Sequence, residues 1–256
     1  MAKPPVNDEF FIGWQPKPPR RIGGFVRART VVIVVAALVL AGLLAALQGT
    51  IGTAYWGDVL EFTGILVKDP TAVLVADQPD DESGASVYHL VSPYKFGFDE
   101  TLADRYHLMH VKLRGRLMYR TDGQALIEAI PESLEAYGEP ATHDPLGERV
   151  PLGEMTLEGE IVDTKCYLGA MNPGVLKPHR ACAILCIKGG IPPMLLVRGP
   201  TVDQADYFVL VDESYGAVND RILDFVGLPV EITGRVERIG NRLILRSDPS
   251  SYRLIE

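Results

Sequence analysis

Residues 30–56 contain no Asp, Glu, Lys or Arg, and the stretch from Val31 to Leu47 is wholly apolar. A helix needs about 20 largely apolar residues to cross the hydrocarbon core of a bilayer, so this run predicts a transmembrane helix over residues 30–56. Tyr55 and Trp56 supply an aromatic belt at one end, and Arg27 and Arg29 the cationic flank at the other. Residues 1–29 form a basic tail, with Lys3, Lys17, Arg20, Arg21, Arg27 and Arg29 against Asp8 and Glu9. The positive-inside rule places that tail in the cytoplasm and everything after Trp56 outside it. A cleaved signal peptide is the competing reading, with small residues around Leu44, Ala45 and Ala46 near a cut. The long leading segment and long apolar run favour an uncleaved anchor, and either reading exports the body.

The tail has a net charge of +4, which leaves −12 for the rest of a chain whose total is −8. An acidic body argues against nucleic acid as a partner, because phosphate binding needs a positive footprint. With 256 residues, 47% of them hydrophobic and 23% charged, the chain has the make-up of a folded protein with one large domain or two small ones.

The exported part alternates like strands, and its pattern occurs twice. Residues 59–67, 72–76 and 86–91 read as strands, 99–106 as a helix, and 107–119 and 124–130 as strands joined through Thr121, Asp122 and Gly123. Residues 155–163, 193–198 and 206–211, a helix over 219–226, and strands 229–239 and 242–247 repeat that order. Gly64 matches Gly159 and Gly115 matches Gly234, where a strand glycine permits the coil that closes a small barrel. Five strands with a helix between the third and fourth resemble the OB-fold, over residues 59–130 and 155–255. The expected architecture is therefore mainly β: one transmembrane helix, then two OB-like five-stranded barrels at 57–131 and 154–256, with a linker at 132–153. OB-folds often bind oligonucleotides or oligosaccharides, but a fold does not confer that function. Tyr88, Tyr94, Phe96 and Phe98 are expected to be core and hairpin residues, not a stacking face.

The repeats differ in length. Gly64 to Gly115 is 51 residues and Gly159 to Gly234 is 75, an excess of 24. The excess falls in residues 164–192, which hold all three cysteines of the chain. On a helix His179, Cys182 and Cys186 are separated by three and four residues and share a face. Cys166 approaches from the end of the first strand across a loop containing Gly169, Pro173 and Gly174. Cys166, His179, Cys182 and Cys186 then form a Cys3His set suited to a metal ion, zinc first, with copper or iron as alternatives. Met171 adds a thioether if the metal is copper(I). Exported cysteines also meet an oxidising environment, so a disulfide between Cys166 and a helix cysteine remains open, as does a redox or haem role. The haem attachment motif Cys-x-x-Cys-His is absent.

The string Cys166, Tyr167, Leu168, Gly169, then His179-x-x-Cys182-Ala183-x-x-Cys186, then Gly189 to Pro193 resembles membrane-anchored bacterial cell-envelope proteins. That resemblance carries no activity over, but it implies a bacterial inner membrane with the body in the periplasm. A second resemblance is to the periplasmic haem chaperone of cytochrome c maturation, also a single-pass OB-type module. Its histidine lies in a C-terminal His-x-x-x-Tyr. Here His143 is followed by Gly147, and Tyr252 has no such histidine, so the carry-over fails at that residue.

His107 and His110 would point to opposite faces of a strand, which argues against a shared metal, and are expected to flank a strand entry. His89 is expected at a surface or barrel edge, and Asp77, Asp80, Asp81 and Glu82 in a solvated hairpin tip rather than a calcium site. No phosphate loop, nucleophile elbow or His-Glu-x-x-His occurs, so no motif supports an enzyme. The expected function is an accessory or assembly subunit of an envelope complex, respiratory or electron-transferring, with protein partners and a metal centre. The alternatives are a metal or haem chaperone and a thiol oxidoreductase.

Overall fold

The computed structural model describes residues 18–47, 54–77, 86–120, 124–199 and 205–255. The chain forms two compact units, one over residues 1–50 and one over 51–256. In the first, helix α1 spans Arg20–Leu47. Its segment Ile22–Ala46 is long and apolar enough to cross a membrane, and none of it is buried in the protein. The helix begins at Arg20 rather than Thr30: Pro19 fits just ahead of a helix start, arginine is a good helix former, and the helix runs on through Gly23 and Gly24. It ends at Leu47 rather than Trp56. Backbone at Ala54, Tyr55 and Trp56 pairs in a β-ladder with Arg120, Tyr119 and Met118, so these residues open a strand. The side chains of Tyr55 and Trp56, read as an aromatic belt, lie outside the described residues, as do Lys3, Lys17, Asp8 and Glu9 of the tail.

The second unit holds the strands. The first half gives β1 (Ala54–Val67), β2 (Val73–Ala76), β3 (Val87–Val91), helix α2 (Glu100–Tyr106), β4 (His110–Arg120), β5 (Ala125–Ala129) and the short β6 (Glu135–Ala136). The second gives β7 (Val150–Asp163), helix α3 (Leu176–Lys188), β8 (Pro193–Arg198), β9 (Ala205–Val211), β10 (Pro229–Ile239), β11 (Arg242–Arg246) and the short β12 (Arg253–Leu254). The sheets close as β1-β2-β3-β5-β4 back to β1, and as β7-β8-β9-β11-β10 back to β7. In each, the third and fifth strands of the barrel run parallel. The expected pair of OB-like five-stranded barrels is what the chain forms, and the insertion separates β7 from β8.

Strand alternation puts an apolar residue on both faces at several positions. Leu66, Leu74 and Leu90 fill the interior of barrel one, while Val67, Val73 and Val91 point outward into a separate cluster. That cluster lies between the barrels, where Met118 and Leu126 meet Leu168, Ile191, Met194, Val209 and Ile244. Barrel two keeps its own interior around Ile161, Leu195, Phe208, Ile232 and Leu245.

Four details depart from the sequence reading or fall outside it. The helix expected over residues 219–226 is only a 3-10 turn, Asn219–Arg221. Asn219 is held elsewhere: its side-chain amide donates to the carbonyls of Ile187 at 2.7 Å and Ile191 at 3.0 Å, at the end of α3. Tyr94 and Phe96 are not core residues but are 83% and 59% exposed, on the loop between β3 and α2. The turn residues Thr121, Asp122 and Gly123 and the acidic residues Asp80, Asp81 and Glu82 lie outside the described residues, although Tyr119 pairs with Ala125 across the ladder that the turn would join.

The matched glycines meet neighbouring backbone. A Cβ on Gly159 would lie 2.5 Å from the Leu196 carbonyl oxygen, and one on Gly64 would press closer still on that of Val75. Gly64→Ala and Gly159→Ala should each destabilise the folded body by roughly 1–3 kcal/mol, since the obstructing atom is backbone. Thermal melts of the full chain in detergent measure this, and an unchanged melting temperature for both would refute the close-approach account.

Candidate metal centre

Strand β7 ends in Ile161, Val162 and Asp163, all fully or almost fully buried. The chain then makes a widened π-type turn over Cys166–Ala170, closed by the Met171 N–H donating to the Cys166 carbonyl at 3.2 Å. Gly174 folds back on this turn, with space for no side chain: a Cβ there would lie 2.6 Å from the Cys166 carbonyl oxygen. Helix α3 follows. Pro178 sits in its first turn, where a missing N–H costs nothing, and the buried Glu160 carboxylate accepts the Leu176 N–H at its start. His179, Ala183, Cys186 and Ile187 form its buried face, and Gly189 with Gly190 (φ +95°) ends it.

The three cysteines are free thiols. Cys166 Sγ is 3.8 Å from Cys186 Sγ and 4.0 Å from Cys182 Sγ. A disulfide needs about 2.05 Å between sulfurs. A tetrahedral zinc with Zn–S near 2.3 Å instead sets its sulfurs about 3.8 Å apart. The potential ligand atoms form two overlapping triplets, Cys166 with His179 and Cys182, and Asp163 with Cys166 and Cys186, each within 4.8 Å of one another. Cys166 is common to both. The insertion therefore gathers a Cys/His cluster that can hold a metal ion, with His179, Cys166 and Cys186 buried and Cys182 half-buried.

Two neighbours were not among the residues singled out from sequence. Asp163 is fully buried; its Oδ1 accepts the Cys166 N–H at 2.8 Å and its Oδ2 lies 3.1 Å from His179 Nε2. With Nε2–H donated to that carboxylate, Nδ1 of His179 is left for a metal, the carboxylate–histidine arrangement that fixes ring orientation. The other is Lys95, from barrel one, whose Nζ donates to Cys182 Sγ at 2.8 Å and to Cys186 Sγ at 3.5 Å. A local signal existed for Asp163, an acid closing an apolar strand three residues before a cysteine. None existed for Lys95, 71 residues upstream of Cys166 in the other repeat.

Electrostatics follow this geometry. The hydrogen bond with Cys186, then burial, pushes the Cys166 thiol up. The same bond, against burial and with help from the Lys95 ammonium, brings Cys186 down to about 7. The hydrogen bond to Cys182 holds Lys95 above its ordinary range. The loop carrying Lys95 is itself clamped. Lys165, beside Cys166 and almost fully buried, donates to the carbonyls of Ser92 at 3.0 Å and Tyr94 at 2.6 Å and pairs with Glu128. Gly97 N–H donates to Gly189 O at 2.9 Å across the same junction.

The remaining histidines stand apart from the cluster. His107 caps the end of α2 and its Nδ1 accepts the Lys68 N–H. His110, in β4, lies against Tyr137 and Asp77. His89 is not at an edge or on the surface; it is 2% exposed, on the outer face of β3 that meets barrel two. No family model matches this chain, and neither a curated protein nor a solved structure matches it.

Asp163→Asn should weaken metal binding by about 10–100-fold if Asp163 orients His179. Competition with a chromophoric chelator reads this, and an unchanged affinity would remove Asp163 from the site.

Proposed function

We propose that this chain is a single-pass membrane protein of the bacterial inner membrane whose exported body holds a closed Cys3His zinc centre, and that it serves as an accessory or assembly subunit of an envelope complex. The observation that carries this reading is the burial of Cys166, Cys186 and His179 in a seam to which both barrels contribute. Four protein ligands complete a tetrahedral zinc and leave no position for substrate, the mark of a structural site. Zinc accounts for the sulfur spacing and needs no thioether; Met171 is 44% exposed, which speaks for zinc over copper(I). The arginines in the first turns of α1, Arg20, Arg21, Arg27 and Arg29, support a cytoplasmic N-terminus and an exported body. Exposed Tyr94 and Phe96, either side of Lys95, offer aromatic area to a protein partner beside the centre. A respiratory or electron-transfer complex is the expected setting, and the proteins that co-purify in mild detergent would identify it.

Burial speaks against the chaperone reading, since a delivery site must open to exchange its metal or haem. The thiol oxidoreductase reading has one observation in its favour: Cys166 lies within reach of two other sulfurs. The two classes part under elemental analysis and a thiol count on the full chain in detergent. A zinc centre predicts about one zinc per chain, thiols that react only after chelation, and a lower melting temperature once the metal is stripped, because metal binding is linked to folding. Metal-free protein with three freely reactive thiols, or one that cycles a disulfide without losing metal, would overturn it.

A further inference from the structure

The seam between the barrels holds a buried cation that is in no ion pair among the described residues. Arg242, which opens β11, is 2% exposed. Its Nη1 donates weakly to Thr71 Oγ1 of barrel one at 3.4 Å. Its Nε and Nη2 have no hydrogen-bond partner among the described residues. These two donors form one edge of the planar guanidinium, the edge that grips two oxygens of a carboxylate or phosphate side by side. His89, equally buried, also has an unpartnered Nδ1. The charge of Arg242 is felt at His89, and burial foremost, then that charge, takes the imidazole down to about 3, so it is neutral. Burial likewise lowers Arg242, to about 10, with Asp144 acting on it only at longer range and Arg149 opposing.

The neighbouring ladder positions are apolar: Ile239 pairs with Arg242 across β10 and β11, Val73 pairs with His89 across β2 and β3, and both belong to the cluster between the barrels. An unpaired guanidinium in such a place is costly, because its lost hydration is not repaid. A water molecule would satisfy hydrogen bonds but leave the charge. A two-oxygen anion does both. Thr71, the acceptor of Arg242 Nη1, also lines a cleft of about 280 Å³ between the barrels, with Lys68, Pro192, Val211 and Asn219 on its walls. Arg242 and His89 do not line it, so an anion reaches the edge only with local movement at Thr71.

We propose that the seam binds a small exogenous oxyanion, a carboxylate or a phosphate- or sulfate-type ion, on the Nε/Nη2 edge of Arg242 with the neutral His89 as a further donor. The site is independent of the cysteine cluster and would bridge the barrels at a second point.

The test is thermal denaturation of the full chain in detergent, titrated separately with inorganic phosphate, sulfate and acetate against chloride at constant ionic strength. A bound oxyanion stabilises in proportion to the logarithm of its concentration above Kd, so at a hundredfold excess the melting temperature should rise by roughly 5–10 °C. Whichever of the three acts at the lowest concentration identifies the class of anion. Arg242→Gln should abolish the rise; if that variant does not fold, His89→Gln should weaken the apparent affinity several-fold while chloride remains without effect. Three results would overturn the proposal: no oxyanion-specific rise in the native chain, a rise that persists unchanged in the folded variants, or a native chain blind to all three anions but destabilised by Asp144→Asn. The last would mean that the chain's own carboxylate fills the edge.

Discussion

Burial of an apolar outer face on each barrel is the constraint from which the other features of the exported body follow. A barrel of this size encloses a small core, and its fraction of buried surface is correspondingly low. Here Val67, Val73 and Val91 on one side and Met194, Val209 and Ile244 on the other extend burial beyond the two interiors. The cysteine-bearing insertion is packed into that third cluster, with Cys166, Tyr167, Leu168 and Cys186 among its members. Backbone closes the junction. Gly97 donates to Gly189, and a Cβ on Gly97 or Gly189 would collide with the opposite chain, so two glycine-containing loops can meet only as bare backbone. Lys95 reaches two sulfurs of the other repeat because that contact, and the grip of Lys165 on Ser92 and Tyr94, hold its loop in place.

Charge gives this junction its chemical sense. Three thiolates around a divalent ion would leave one negative charge, with the buried Asp163 carboxylate beside it, in a place with little water, where an unpaired charge is expensive. Lys95 supplies one positive charge against the same sulfurs, and its N–H donors draw electron density from them. The histidine ring is oriented from the other side by Asp163. Asp163 ends a barrel strand and Lys95 lies on a loop that follows one, so the barrels set the positions that the insertion then uses.

The sequence made the repeat legible because strand spacing and glycine position report on barrel closure directly. Residues 193–198 and 229–239 coincide with β8 and β10, and the 24-residue excess marks where the cysteines had to sit. The spacing of His179, Cys182 and Cys186 also read correctly as one helix face, although Cys182 is only half-buried. What could not be read was anything set by contact between distant segments. Lys95, His89 and Arg242 acquire their surroundings only when the second barrel docks. The 3-10 turn at Asn219–Arg221 has helical composition but is claimed by hydrogen bonds to the end of α3. The N-terminal helix was misplaced at both ends because absence of charge locates an apolar run, whereas a strand partner such as β4 decides where the chain leaves it.

On this account sulfur and imidazole from one insertion converge on a metal ion at the junction of the barrels. X-ray absorption at the zinc edge, on the full chain purified in detergent without added chelator, addresses it most directly. Three sulfur scatterers near 2.3 Å and one nitrogen at about 2.0–2.1 Å are the predicted shell. A shell of oxygen and nitrogen alone, or no bound metal in a protein that is folded, would contradict it.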